Sequence, residues 1–185
     1  MNNQYFDIDK VLQVILYVAN KVDRKDIHQV FKMLYFADRE HLLKYGRTIT
    51  GDTYVKMNNG PVPSKIYDII KTARGDSAFS FVQEISKKIK ECFAVNGRDI
   101  VPFNPANLDY LSKTDIVEID NAVSKYGQLS FTELTNVSHG SAWNASDRII
   151  KQEDILREAD PQCSEEYIEY LNDLTTAESF LLNGC

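Results

Sequence analysis

The chain has 185 residues, of which 43% are hydrophobic and 26% are charged, and its formal net charge is −6. A chain of this length can bury about 70% of the surface that its unfolded form exposes, which predicts one folded domain and excludes wholesale disorder. The three cysteines are odd in number and form no CxxC motif, which argues against a disulfide framework or a zinc knuckle. The polar N-terminus and the short apolar runs are atypical of signal peptides and membrane spans. We therefore expect a cytoplasmic protein.

Charge is distributed unevenly along the chain. Residues 1–75 contain 12 Lys and Arg against 8 Asp and Glu, whereas residues 76–185 contain 9 against 19. The most acidic part is 152–185, which holds nine acidic residues and one arginine. Such a segment attracts a basic partner, or it forms a solvated helix face that keeps the protein soluble. The sequence leaves both interpretations open.

The first 45 residues predict two amphipathic helices. Apolar residues at helical spacing indicate a helix from about Asp9 to Lys21, which Asp7 or Asp9 can cap. A second helix is predicted from about Asp26 to Tyr45, and Gly46 is its natural stop.

The next segment predicts a short strand, a stiff loop and a helix. Residues Thr53–Met57 are β-prone. Asn58–Pro63 contains two prolines and a glycine, and we expect them to prevent regular structure. Ser64 then begins a helix that Gly75 closes.

Residues 76–91 permit either a helix or a loop, because Phe79, Phe81, Val82, Ile85 and Ile89 fit both patterns. The next ten residues are clearer. Asn96-Gly97 lies between two β-prone runs, which predicts a hairpin over 92–101 with a type I′ turn.

The remainder of the sequence is typical of helices. Capping boxes at Ser112–Asp115 and Ser130–Glu133 each predict a helix start. A short helix is predicted around Ala142–Ile149, and a last helix starts at about Ser164. Asp160–Gln162 is the predicted hinge before that last helix.

Together these elements predict an α+β protein that is mainly α-helical. We expect a helical core with one small antiparallel sheet, built from Thr53–Met57 and the 92–101 hairpin. The predicted domains are residues 1–157 and an acidic C-terminal helical appendage, residues 158–185.

No recognised catalytic motif occurs, since the chain lacks a Walker loop, GxSxG and HExxH. Asp38 and His41 share one helix face, and His139 or Asp52 would have to supply a third metal ligand. Two ligands do not make a site. We therefore expect no catalytic residue, no metal and no cofactor, and a protein that is not an enzyme.

Nucleic-acid binding has weak support in the sequence. The basic residues are scattered, and Arg98, at the tip of the predicted hairpin, is followed by Asp99. The ten tyrosines favour a protein-binding surface instead, although tyrosines also pack against a core through their rings.

Three consecutive stretches resemble a known family. They contain a leucine-tyrosine-alanine-aspartate helix, a threonine-glycine-aspartate turn and a glycine-proline-valine-proline loop in this order. The stretches are Lys32–His41, Tyr45–Tyr54 and Gly60–Asp68, with further similarity at Leu111-Ser112, Tyr126-Gly127, Leu134, Ser138-His139 and Ala142-Trp143. Over roughly residues 8–157 the chain resembles the Panacea domain, also described as SocA-like and formerly as a phage-associated domain.

The resemblance implies an antitoxin of a toxin–antitoxin system. Members of this family commonly lie beside a toxin gene, often in prophages, and many neutralise their cognate protein toxin by direct protein–protein binding. The founding member instead acts as a proteolytic adaptor that delivers its toxin to a AAA+ protease. That role and a DNA-binding regulator remain alternatives, and a homo-oligomer is left open.

The motif residues have two interpretations. As partner contacts, the Gly60–Pro63 loop and the residues near it would form the toxin-binding site. As scaffold, the glycines would take positive φ, Asp52 would pin the turn near Thr50, and His139 would stack on Trp143. The predicted partner-binding residues are Asp38, His41, Gly60, Pro61, Val62, Pro63 and Tyr67.

Overall fold

The computed structural model describes residues 6–76 and 81–183, with side chains up to residue 174. The described helices are α1 (Ile8–Lys21), α2 (Ile27–Tyr45), α3 (Ser64–Arg74), α4 (Gln83–Cys92), α5 (Lys113–Tyr126), α6 (Phe131–Ser138), α7 (Ser141–Ala145), α8 (Gln152–Ala159) and α9 (Glu165–Asn183). The described strands are β1 (Tyr54–Met57), β2 (Gly60–Pro63), β3 (Phe93–Asn96) and β4 (Asp99–Pro102). This arrangement confirms a mainly α-helical fold with small antiparallel β-structure.

Helix α2 is the centre of the fold. Every residue from Gln29 to Asp38 is buried, because α1, α5, α6, α8 and β2 pack around this helix. The helix begins after Asp26, whose carboxylate accepts a hydrogen bond from the Gln29 amide at 3.0 Å. It ends at Gly46, which has a φ of 71°. Both predicted ends are confirmed.

The other capping predictions are also confirmed. Asp7 accepts hydrogen bonds from the first turn of α1. Ser112 and Asp115 form a reciprocal capping box on α5, and Ser130 and Glu133 form one on α6. These short-range bonds set the starts of three helices without help from the rest of the chain.

The prediction that prolines keep Asn58–Pro63 irregular was wrong for its second half. Gly60–Pro63 is strand β2, which pairs antiparallel with β1, so that Val55 lies opposite Val62. Ile149 forms a bridge to Val55 on the other side of β1. Strand β2 therefore lies at an edge of this small sheet, where a proline can replace a residue whose N–H is not needed.

The prediction of one sheet was also wrong, because the two hairpins form separate two-stranded sheets. The β3–β4 hairpin lies against the start of α2 instead. There the Ile27 amide donates to the carbonyl of Arg98, and the Ile100 amide donates to the carbonyl of Lys25, both at 2.8 Å. The chain around the start of α2 thus provides hydrogen-bond partners for backbone groups of the hairpin.

The turn of this hairpin lies one residue later than predicted. Asn96 pairs with Asp99, so the two turn residues are Gly97 and Arg98. Gly97 has a φ of 63°, and no described residue other than glycine has positive φ. A single positive φ at the first turn position excludes type I′ and matches type II′.

The segment left open by the sequence is helical from Gln83 onward, as α4, whereas Phe79 lies outside the described residues. The short helix predicted around Ala142–Ile149 is α7, but it ends at Ala145. Its end was wrong because Ile149 extends the β1–β2 pair.

The last helix packs on the body of the protein through its first two turns. Ile168 and Leu171 are buried, and the Tyr167 hydroxyl donates to the carbonyl of Leu43 at 3.2 Å. The division into residues 1–157 and 158–185 stays a prediction. No helix in the described ranges is long and apolar enough to cross a membrane.

Glu158 on α8 joins three helices. Its carboxylate accepts hydrogen bonds from the Tyr35 hydroxyl at 2.9 Å and from Arg39 at 3.2 Å, both on α2. Its other oxygen accepts from the Ala142 amide of α7 at 2.9 Å. A Cβ at Gly140 would overlap this carboxylate, which explains the glycine at that position.

We expect Glu158→Ala to lower the free energy of unfolding by about 2–3 kcal/mol, because it leaves the Tyr35 hydroxyl and the Ala142 amide without their acceptor and removes one of the two carboxylates that bind Arg39. Urea unfolding measures this change. Glu153→Ala is the matched control, since Glu153 forms a more exposed pair with Lys151 and should cost no more than about 1 kcal/mol. Equal losses in both variants would contradict the assigned role of Glu158.

Candidate functional site

Asp38 is buried in the interior and holds the turn after α2. One carboxylate oxygen accepts the amides of Ile49 and Thr50 at 2.7 and 3.1 Å. The other accepts the hydroxyls of Thr50 and Tyr54 at 2.5 and 2.8 Å. Burial raises the pKa of Asp38, and these four bonds oppose the rise by favouring the ionised form. All of its near partners belong to its own chain.

His41 is also buried, one turn further along α2. Its Nδ1 donates to the carbonyl of Arg47 at 2.8 Å, which leaves Nε2 close to Thr114 and Asp115. Lys10 lies 2.8 Å from Asp115 on another side. Burial alone would raise the pKa of Asp115, but hydrogen bonds from His41 and Lys10 hold it well below its usual range. This cluster ties α1, α2 and α5 together.

Asp52 fixes the start of α3. Its carboxylate accepts the amides of Thr53, Lys65 and Ile66 at 2.7, 3.0 and 2.8 Å. Pro63, the last residue of β2, precedes this helix directly. Burial raises the pKa of Asp52 to about 6. Asp52 therefore caps α3, whereas the sequence predicted that it would pin the turn near Thr50; Asp38 holds that turn instead.

Asp38 and His41, which were considered as metal ligands and rejected, serve different clusters, since Asp38 binds the 48–54 turn and His41 binds α5. His139 instead stacks on Trp143, with ring centroids 3.8 Å apart. This stacking was predicted, although His139 ends α6 and Trp143 belongs to α7. In residues 6–76 and 81–183, no three histidine, cysteine or acidic side chains come together as a metal site would require.

Two of the remaining predicted site residues line a different feature, a pocket of about 690 Å³, and Gly60 and Pro61 lie against a lysine of its lining. The pocket lies between the start of α2, the β1–β2 turn, α3, the β3–β4 turn and the start of α6. Val62 and Tyr67 line it. Pro61 contributes its carbonyl oxygen to the ammonium group of Lys32, which also lines the pocket. We call this feature the Lys32 pocket.

Lys32 is 1% exposed and has no carboxylate partner among the described residues. Its Nζ donates to the carbonyl of Pro61 at 2.8 Å, and that bond uses one of its three protons. A Cβ at Gly60 would lie 2.9 Å from this nitrogen, so glycine allows the strand to cover the ammonium closely. Burial lowers the pKa of Lys32 from 10.5 to about 7.

Two imidazoles lie near this ammonium with a buried nitrogen that has no hydrogen-bond partner among the described residues. They are Nδ1 of His28 and Nε2 of His139. Burial, reinforced by the charge of Lys32, lowers the pKa of His28 to about 4 and lowers that of His139. Buried polar atoms in folded proteins are normally hydrogen-bonded to protein or to ordered water.

The rim of the pocket is apolar and cationic. Met57 and Phe131 are about two-fifths exposed, and Phe131 stacks on His28 with ring centroids 4.0 Å apart. Arg74 and Arg98 also line the pocket, so it is cationic in a protein of net negative charge.

Sequence reasoning missed Lys32, His28 and Phe131 as site residues. One signal was present, because Lys32 interrupts an apolar run in the most buried helix of the chain. His28 lies one turn before it on the same face. No local sequence pattern indicated that Phe131 would line the pocket.

The comparison with family models gives one finding: residues 30–144 match the family described as "Antitoxin SocA-like, Panacea domain". The matched segment runs from α2 to α7, so it contains Lys32, both hairpins and the 138–143 motif. It covers more than half of the chain and confirms the resemblance. Neither curated proteins nor solved structures give a significant match.

The scaffold role of Asp38 predicts a large loss of stability in Asp38→Ala. We expect the free energy of unfolding to fall by about 2–4 kcal/mol, because four buried donors lose their acceptor. Asp147→Ala at an exposed position is the control and should change stability by less than about 0.5 kcal/mol. Urea unfolding of both variants measures the difference. A similar, small effect of both would show that the turn holds without Asp38.

The burial of Lys32 predicts a pH-dependent contribution to stability. Between about pH 7 and 10.5 the unfolded chain keeps the proton of Lys32 while the folded chain loses it, so stability rises with pH in this window. Relative to Lys32→Met, the wild-type protein should gain up to about 1.4 kcal/mol per pH unit across it. Urea unfolding of both proteins over this range tests the slope. A difference that stays constant with pH would contradict the lowered pKa.

Proposed function

Because the chain belongs to the antitoxin SocA-like family with the Panacea domain, we propose that it neutralises a cognate protein toxin by binding it directly. The observation that carries this proposal is the family match over residues 30–144. We expect the toxin to be encoded by a neighbouring gene, and both proteins to act in the cytoplasm. The proposed mechanism is occlusion or sequestration without catalysis.

The Lys32 pocket is the proposed contact surface. Protein interfaces are stabilised by a few partly exposed aromatic or apolar side chains that become buried on binding. Phe131 and Met57 have this exposure, and they flank a concave surface large enough to receive side chains of a partner. Val62 and Tyr67, from the predicted partner-binding set, lie inside it.

The other predicted contacts support this surface from within. Gly60 and Pro61 cover and bind Lys32, and Pro63 leads into α3. Asp38 and His41 bind their own chain and are buried. We propose that they maintain the scaffold, and that the toxin meets the pocket residues.

The test of function is expression of the neighbouring gene under an inducible promoter, with and without this protein, followed by a pull-down. We expect the neighbour to be toxic alone, the toxicity to be relieved by this protein, and the two proteins to co-purify. Relief with loss of toxin protein and no stable complex would favour a proteolytic adaptor. A neighbour that is harmless alone would remove the support for a toxin–antitoxin pair.

The proposed surface predicts that Phe131→Ala weakens toxin binding by roughly tenfold or more, because a partly exposed aromatic side chain is lost from the contact. Phe103→Ala is a matched control, since Phe103 is 54% exposed and does not line the pocket. Titration calorimetry or surface plasmon resonance on the purified complex gives both affinities. Equal affinities would place the toxin on another face.

A further inference from the structure

The Lys32 pocket contains a buried amine with no carboxylate partner among the described residues, so the positive charge of its protonated form is not neutralised by its own chain. The Lys32 ammonium has one hydrogen bond, to the carbonyl of Pro61, and two protons that are not used by described residues. A buried ammonium without a carboxylate is destabilising. The fold nevertheless covers it with strand β2, which keeps this charge next to an open pocket.

The residues around Lys32 determine how much negative charge a ligand in the pocket can carry. His28 and His139 are neutral at physiological pH, because burial and Lys32 lower the pKa of each imidazole. Asp26 lines the pocket, but its carboxylate is held by Arg24 at 3.1 Å and by the Gln29 amide. When Lys32 is protonated, no described carboxylate therefore neutralises its charge at the buried side of the pocket.

The walls of the pocket are suited to an apolar group. Ile27, Phe31, Val62 and Tyr67 line it, and Phe31 and Tyr67 meet edge to face with ring centroids 5.9 Å apart. A ligand that reaches Lys32 therefore passes hydrocarbon and aromatic surfaces first. This combination selects an anionic head on an apolar body.

A single carboxylate matches this arrangement better than a phosphate. Its two oxygens can accept the two unused protons of the Lys32 ammonium, and its charge of one equals that of protonated Lys32. Phosphate sites in proteins usually combine several donors, often arginine forks or a glycine-rich loop. Here Lys32 is the only buried cation among the described lining residues. Arg74 is paired with Asp76, and the ammonium of Lys56 donates to the carbonyl of Ser146 and lies over the ring of Trp143.

We infer that the Lys32 pocket receives an aspartate or glutamate side chain from the bound toxin, carried on an otherwise apolar segment. This inference rests on the antitoxin function proposed above. Arg98 lies on the rim, and its side chain has no ion-pair partner among the described residues. It is placed to attract the acidic segment before the carboxylate reaches Lys32.

The first test uses the wild-type chain without the toxin. Isovalerate has a carboxylate on a branched alkyl group, isovaleramide is its uncharged counterpart, and inorganic phosphate has the alternative head group. Titration of each into ¹⁵N-labelled protein should shift the amide signals of residues 27–32 and 57–59 with isovalerate. The amide and phosphate should shift them only weakly.

Three outcomes would overturn the carboxylate assignment. Equal shifts with isovalerate and isovaleramide would show that the pocket binds the apolar group without selecting the carboxylate. Stronger shifts with phosphate would assign a phosphorylated ligand. A lack of response to all three probes would show that the pocket does not take an anion on its own.

The second test uses the complex with the toxin. Lys32→Met keeps the length and apolar stem of the side chain and should weaken toxin binding by roughly tenfold or more. Because Lys32 is buried, the exposed variant Arg98→Gln provides an independent measurement, and it should slow association and reduce its salt dependence. Lys87→Met, on the exposed face of α4, is the control and should bind as the wild type does.

The two tests separate this inference from the proposed function. Tight toxin binding by the wild type that neither pocket variant weakens would overturn the inference and leave the antitoxin function standing. Failure of the wild type to bind the neighbouring gene product would count against the antitoxin function. The probe titrations would then still decide whether the pocket recognises a carboxylate.

Discussion

The structure depends on the burial of the middle of α2, from Gln29 to Asp38. A helix surrounded on all sides has no water for its polar side chains, so each of them must find a partner inside the protein. Asp38 accepts hydrogen bonds from the 48–54 turn, and His41 is hydrogen-bonded to α5. Tyr35 and Arg39 donate to Glu158 on α8. Each of these bonds fixes a neighbouring element at one position along α2, which makes the helix the reference for the rest of the fold.

Among the charged residues in the buried part of α2, Lys32 departs from this pattern. Asp38 is bound by amide and hydroxyl donors, whereas the Lys32 ammonium donates only to the carbonyl of Pro61. Nδ1 of His28 and Oε1 of Gln29 also have no hydrogen-bond partner among the described residues. The exception lies where α2 meets the pocket, between the two hairpin turns. An ammonium that lacks a carboxylate at the concave face of the scaffold supports the proposal that a partner completes it. This relation links the fold to the function proposed for the family.

The sequence predicted what local chemistry decides. Asp7 and the Ser130–Glu133 box act within one helical turn, and their patterns were sufficient. The prediction for Gly60–Pro63 failed because a proline-rich segment becomes a strand only through pairing with β1 and packing on α2. The turn at Gly97 was misplaced because the hairpin is held by the chain before α2. The pocket was missed because its lining comes from five elements that are distant in sequence, and no periodicity indicates such a meeting.

The attachment of the β3–β4 turn has a consequence for how the protein can change. Arg98 is bound to the fold through its backbone, since its carbonyl accepts the Ile27 amide, while its side chain points to the pocket rim. Any amino acid at this position provides the same carbonyl. Mutation can therefore alter the charge that a partner first meets without loss of the bond that holds the turn. The backbone of this residue holds the turn, and its side chain is available for the proposed contact with a partner. Substitutions at this position can therefore change partner preference while the fold stays the same.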